Sequence, residues 1–307
     1  MPSHNVLVVF AALTALTIGG LSCRPVPKAE FVGSHARALS IVSNGKRVTN
    51  RKANKKGSVL VLEYHRFSDK ESRWVRTFAR FQRDLDRLYR MGYRPVTISE
   101  YVENRMVLPP GASPVIMTFD DSHYSQFMLM KDGSINPKTA VGVWAKWAKT
   151  HPGFPIKATW YVLPTQQWGQ RTLMKKKVAM LRSWGSEIGS HTLTHRALSK
   201  LSNDDVKREL AGSIEWLRGI GVEPRSLAYP YGLEPKTFAL VRGFEWKGKS
   251  FGYQSAVSAA GPPAPPPTSK KLDFYRIPRI QGIDGPLGIT YWLNRISAGK
   301  SPPYVSP

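Results

Sequence analysis

Between Ser58 and Ser297, short apolar runs alternate with longer stretches of helical spacing. The runs at 58–65, 93–96, 115–119, 157–163, 187–190, 226–229, 251–257 and 275–280 have strand length and strand composition. Residues 74–91 place Phe78, Phe81, Leu85 and Leu88 on one helical face, with Gly92 as the C-cap. Further helices are predicted to open at Ser99 and to span 139–149, 172–184, 203–219, 236–242 and 287–296. In the 203–219 segment Val206, Leu210, Ile214 and Leu217 share a face behind an Asn203 N-cap. Each helix returns the chain to the end from which the previous strand started, so the strands run parallel. No internal repeat is present. The expected fold class is α/β, a parallel barrel-like domain, with chemistry gathered at the C-terminal ends of its strands.

The flanks have a different character. Residues 6–21 form an apolar run shorter than the roughly 20 residues of a spanning helix. It ends in Gly20-Leu21-Ser22-Cys23, which resembles a lipobox. Residues 1–23 therefore read as a signal peptide, and the expected location is outside the cytoplasm. A lipidated Cys23 would anchor the protein to the membrane; plain secretion is the other outcome. Cys23 is the single cysteine, so no disulfide forms within the chain. Residues 24–57 read as a basic flexible linker, 58–298 as the folded domain and 299–307 as a Pro-rich tail. The formal net charge of +24 favours anionic partners, here cell-surface polymers or lipid headgroups met by the linker. Nucleic acid is not expected for an exported chain.

The chemistry starts at 115–121, where an apolar run ends in Asp120-Asp121. Adjacent carboxylates raise one another's pKa unless a cation lies between them or they point apart. The strand at 187–190 runs into His191-Thr192-Leu193-Thr194-His195. If the chain turns helical there, the two imidazoles share a face and grip one cation. The strand at 226–229 runs into Tyr229-Pro230-Tyr231-Gly232. One carboxylate and two imidazoles leave coordination positions open, the arrangement of a catalytic zinc-type site. Trp144, Trp147, Trp160 and Trp168 are candidates for a sugar-binding groove, although the 144/147 spacing suits a helix buried in the core. His123 reads as a surface residue of the irregular 123–137 stretch, and His35 and His151 as solvated.

Thr118-Phe119-Asp120-Asp121, His191-Thr192-x-x-His195 and Tyr229-Pro230-Tyr231-Gly232 resemble the first three motifs of the polysaccharide deacetylases, the NodB-homology group of carbohydrate esterase family 4. Tyr64-His65 and Ala228 to Gly232 are similar to the branch that contains poly-N-acetylglucosamine deacetylases. The resemblance implies a distorted (β/α)7 barrel and removal of acetyl groups from an N-acetylated amino-sugar polymer, such as poly-N-acetylglucosamine, a chitin-like polymer or peptidoglycan. It implies that Asp121, His191 and His195 hold a divalent metal, Zn²⁺ first with Co²⁺ or Ni²⁺ as alternatives. Asp120 would be the general base and the Tyr231 N–H an oxyanion donor.

Three positions depart from the family pattern. Ser122 replaces the usual Gly, and Ala228 stands where an Arg usually orients the base. No histidine follows His195, so the usual late general acid is missing. Arg276 or Arg279 could supply the missing cation, or be a surface or ion-paired residue. His65 is the candidate acid, against a packed or capping role. Two other readings stay open: an O-acetyl esterase of xylan type, and a catalytically lapsed polysaccharide-binding protein.

Overall fold

A computed structural model describes residues 48–307. The signal-peptide segment, Cys23, His35 and the linker up to residue 47 lie outside the described residues. One curled sheet contains β1 (Leu60–Tyr64), β2 (Tyr93–Val96), β3 (Ser113–Phe119), β4 (Thr159–Val162), β5 (Glu187–Ser190), β6 (Ser226–Ala228), β7 (Ser255–Val257) and β8 (Ile280–Gln281). Its order is β7-β6-β5-β4-β3-β1-β8, and every pairing is parallel. β3 forks along one edge: Ser113 to Ile116 pair with β2, and Thr118 and Phe119 pair with β4.

The helices lie between the strands, as parallel crossovers require. They are α1 (Phe78–Arg90), α2 (Ile98–Val102), α3 (Ala140–Ala148), α4 (Met174–Ser183), α5 (Asn203–Gly219), α6 (Ala239–Arg242) and α7 (Ile289–Ser297). α2 starts one residue before the Ser99 of the sequence reading. Thr97 caps the Glu100 N–H, and the Glu100 carboxylate accepts from the Thr97 N–H at 2.9 Å. The cap of α5 is Ser202, not Asn203; its hydroxyl accepts from the Asp205 N–H at 3.2 Å. The predicted strand at 275–280 is reduced to 280–281, because Pro278 has no N–H to give a ladder. Ile277 still bridges Val257 of β7, while Ile280 pairs with Leu62 of β1. This short segment thereby joins the two edges of the sheet.

Alternation along the strands separates two apolar layers. Leu60, Leu62, Met117, Phe119 and Trp160 face the helices, where Phe119 stacks on Trp160 at 4.1 Å. Val61, Ile116, Tyr161, Ala228 and Val257 fill the barrel interior. Trp144, Trp147, Trp160 and Trp168 are all buried, so none lines a groove. His151 is not simply solvated: its ring stacks on Trp147 at 3.8 Å and its Nδ1 bonds the Trp147 carbonyl at 2.8 Å.

The end of the linker and the Pro-rich tail pack together. Asn54 and Val305 exchange both backbone hydrogen bonds at 2.9 Å, and the Val48 N–H donates to Pro110 O at 2.9 Å. A Cβ on Gly57 would lie 2.1 Å from Pro303 O, so only glycine fits this crossing. Residues 48–57, read from the sequence as linker, thus pack on the folded unit.

α4 also secures the two long loops that follow β3 and β4. The buried Lys177 donates to Phe127 O at 2.9 Å and to Trp168 O at 3.2 Å. Burial pushes its pKa down to about 7. The unfolded chain therefore binds more protons than the folded protein between about pH 7 and the ordinary lysine value of about 10.4. The penalty is fully present below pH 7, and stability rises with pH across that window. Lys177→Met should flatten this rise by roughly 2 kcal/mol between pH 6.5 and 9. Urea midpoints of the two proteins measure it; equal rises in both would refute the argument.

Candidate active site

Period-two alternation carries β1 and β3 into the barrel with Glu63, Thr118 and Asp120 on the inner face, in register with Val61 and Ile116. Buried carboxylates need a cation, and Arg279 supplies it. Its side chain is fully buried and bonds Asp120 twice, Nη1 to Oδ1 at 2.7 Å and Nη2 to Oδ2 at 2.8 Å. The same guanidinium reaches Glu63 at 3.2 Å, Thr118 Oγ1 at 2.9 Å and Ser258 O at 2.8 Å. Of the two arginines left open by the sequence, Arg279 is the one at Asp120. Arg276 lies near the surface, paired with Glu234 and Asp273. Burial alone would raise the Asp120 pKa; Arg279 and His191 outweigh it and hold the group below the usual carboxylate range.

The chain turns sharply after Asp120. Asp121 and Ser122 adopt left-handed conformations, with φ of 71° and 48°. Each costs about 1–2 kcal/mol for a residue with a Cβ. At Ser122, where the family has Gly, the hydroxyl bonds both backbone groups of Leu163, accepting from its N–H at 3.1 Å and donating to its carbonyl at 3.2 Å. Those bonds offset the strain and tie the turn to the end of β4. Asp120 and Asp121 consequently face different partners.

Asp121 meets the two histidines. Its Oδ1 lies 3.4 Å from His191 Nε2 and 3.4 Å from His195 Nε2, and the two Nε2 atoms are 3.1 Å apart. A tetrahedral ion with bonds near 2.1 Å has ligand–ligand edges of about 3.4 Å. The donor set and its spacing fit a divalent ion of zinc type. The tautomer of His191 fits as well: Nδ1 donates to Ala228 O at 2.9 Å, which leaves the Nε2 lone pair facing Asp121. His195, pressed by burial and by His191, has its pKa pushed down to about 4 and is neutral at pH 7. Burial works against a charged His191, but Asp120 and Asp121 raise its pKa overall. Burial is likewise overcome at Asp121, which His191 holds well below the usual range.

The 191–195 segment is not the helix expected from the sequence. Thr192 and His195 are left-handed, with φ of 65° and 63°, and this loop rather than a helical face brings the imidazoles together. Glu209 of α5 holds the loop in shape. Its buried carboxylate accepts from the Leu193 N–H at 3.1 Å, the Thr194 N–H at 2.8 Å and the Thr194 hydroxyl at 2.5 Å.

His65 follows β1 into the same space. Its Nε2 lies 3.6 Å from Glu63 and 3.8 Å from Asp120, and its ring packs against Trp74 at 4.8 Å. Glu63, His65 and Asp120 form a second group of potential ligands, but the Arg279 guanidinium already occupies both of its carboxylates. Tyr231, left-handed at φ 59°, rests its ring on His195 at 4.7 Å. His123 stays outside the cluster, bonded through Nδ1 to Ser125 Oγ at 2.8 Å. Glu63 and Glu209 went unread in the sequence. A charge inside the apolar run 59–64 was a usable signal for Glu63. Glu209 carried none, since an acidic residue on an amphipathic helix is ordinarily solvated.

A sequence model described as polysaccharide deacetylase matches residues 108–245, the span that carries both aspartates, both histidines and the Tyr229 turn. Among solved structures, the chain is similar to the Streptococcus pyogenes deacetylase PplD in complex with acetate, at 19% identity and a TM-score of 0.54, covering 74% of this chain and 92% of that one. It is similar to IcaB from Ammonifex degensii at 20% identity and a TM-score of 0.51, covering 77% and 97%. BC0361, a polysaccharide deacetylase from Bacillus cereus, gives 20% identity and a TM-score of 0.55 over 80% and 69%. No curated protein matches the chain significantly. At these identities the solved structures speak for the fold, an α/β barrel of NodB type, while the sequence match covers the site itself. Residues 108–245 thus match the polysaccharide deacetylase sequence model, and the barrel that contains them has the fold of solved deacetylases.

Proposed function

We propose that this enzyme removes acetyl groups from an N-acetylated amino-sugar polymer, using a divalent metal held by Asp121, His191 and His195. The observation that carries this reading is the division of labour between neighbouring aspartates. Asp121 faces two imidazole Nε2 atoms at 3.4 Å, while Asp120 is engaged by Arg279. A divalent ion in such a site lowers the pKa of water and polarises an acyl carbonyl. Asp120, ionised and oriented by Arg279, takes the proton of the attacking water. The Tyr231 N–H stabilises the oxyanion of the tetrahedral intermediate. His65 returns a proton to the leaving amine, which then departs as the free amino sugar beside acetate. The lapsed-protein reading loses one of its motives, because Arg279 supplies the cation absent at Ala228. The resemblance of Tyr64-His65 and the Ala228 turn to the poly-N-acetylglucosamine branch favours that class of polymer. The apolar N-terminal run supports action outside the cytoplasm, and the basic linker a contact with anionic surface polymers or lipid headgroups.

The metal-loaded protein should release acetate and primary amine in equal amounts from poly-N-acetylglucosamine, chitin oligomers or peptidoglycan. Asp120→Asn should lower kcat by about 10²–10⁴ while retaining metal, and His191→Ala should lose the metal. Acetate from acetylated xylan without new amine would point to an ester substrate. No acetate from any polymer, with Zn²⁺ or Co²⁺ present, would leave a binding protein.

His65→Ala should cut turnover and remove the basic limb of the pH–rate profile. A variant with near-normal turnover and an unchanged basic limb would exclude His65 as the acid. Glu209→Ala should weaken metal binding roughly 10–100-fold by loosening the loop before His195. Competition titration with Co²⁺ measures this, and unchanged affinity in a folded variant would show that the loop holds its shape without Glu209.

A further inference from the structure

Two exposed rings stand at opposite ends of one row of contacts through the site. Trp74, 40% exposed, packs on His65; His65 lies 3.8 Å from Asp120; Asp120 lies 3.9 Å from His191; His191 lies 3.1 Å from His195; and His195 carries Tyr231, 66% exposed. The sheet order separates the ends in the same sense. His65 follows β1 and Tyr231 follows β6, with β3, β4 and β5 between them. Four strand steps of about 4.8 Å give roughly 19 Å of arc. The reacting groups thus occupy the middle of an aromatic-ended track.

Trp74 is mounted rigidly for an exposed residue. Two positions on, Arg76 is only 4% exposed and bonds Asp84 through two nitrogens, at 2.6 and 2.9 Å. It also bonds Glu71 at 2.9 Å and Asp284 at 3.0 Å, so the loop is fastened to α1 and to the segment after β8. The Trp74 carbonyl further accepts from the Arg66 N–H at 3.0 Å. With His65 at 4.8 Å and the Arg73 guanidinium at 5.0 Å from its centroid, the Trp74 ring still keeps an apolar surface open to a ligand. Beside it a narrow cleft opens past His65, walled by Arg73, Trp74, Gln281 and Ile283. Aromatic faces with flanking polar groups suit a pyranose ring, which presents apolar C–H bonds on its faces and hydroxyls at its edge.

We propose that Trp74 is the platform for the sugar next to the reacting unit on the His65 side, and that Tyr231 serves the sugar on the other side. The site then takes a chain of at least three units and acts within it rather than on single sugars. This rests on the deacetylase reading for the position of the reacting unit, but the platform itself is a binding claim.

The test is calorimetric titration of N-acetylglucosamine dimer and hexamer into Asp120→Asn protein, alone and combined with Trp74→Ala or Trp74→Phe. Hexamer affinity should exceed dimer affinity. Trp74→Ala should lower hexamer affinity about tenfold and dimer affinity by much less, and Trp74→Phe should keep most of the hexamer affinity. Loss of His65 packing alone would not produce that length dependence. Equal losses for dimer and hexamer, or no loss, would overturn the platform. Acetate release by the unmodified enzyme without Trp74-dependent binding would retire the platform and keep the hydrolase. Trp74-dependent binding without acetate release would do the reverse.

Discussion

The paired hydrogen bonds from Arg279 to Asp120 are the interaction on which the rest of the site depends. Both side chains are buried at the barrel's C-terminal mouth, where a lone charge costs several kcal/mol. The guanidinium is rigid and planar, so it fixes the plane of the carboxylate as well as its charge. It also bonds Glu63 at 3.2 Å, so both buried carboxylates share one cation beside His65. With Asp120 so engaged, Asp121 is free to turn toward His191 and His195. One buried cation thereby assigns different work to adjacent, chemically identical residues.

The turns that follow the strands complete the arrangement through strain. Asp121, Ser122, Thr192, His195 and Tyr231 all occupy the left-handed region although none is glycine. Such conformations cluster where surrounding contacts over-determine them. Here the contacts are identifiable: Ser122 against Leu163, Glu209 against the 193–194 amides, and Thr192 Oγ1 accepting from the His195 N–H at 3.1 Å. The Asp121, His191 and His195 side chains are therefore held by hydrogen-bonded loops on a rigid sheet, at the spacing a small divalent ion would need.

Much of the fold was legible from local pattern. The apolar runs at 58–65 and 115–119 became β1 and β3 because buried parallel strands need little else. The periodic segments at 203–219 and 74–91 became α5 and α1, although α1 begins only at Phe78. The residues after the strands were harder to read. Spacing of four between His191 and His195 suits a helix and suits the observed loop equally, and the loop is the form that Glu209 and the Thr192 hydroxyl bond. The helical spacing of Trp144 and Trp147 already favoured the core over a groove, and both are buried. Residues 48–57 have no periodicity: Val48 and Asn54 fasten them through backbone hydrogen bonds to Pro110 and Val305, and backbone bonds leave no mark on side-chain choice.

By itself the sequence determined the strand–helix alternation, the types of donor at three strand ends and the match of residues 108–245 to the polysaccharide deacetylase model. These are local properties, set by periodicity and by residue chemistry within a few positions. The tertiary structure alone decided that Arg279 rather than Arg276 meets Asp120, a contact across 159 residues. It also decided that a loop rather than a helix brings the histidines together and that Trp74 stands beside His65. Each of those outcomes depends on which strands become neighbours when the sheet curls, and no local pattern encodes that.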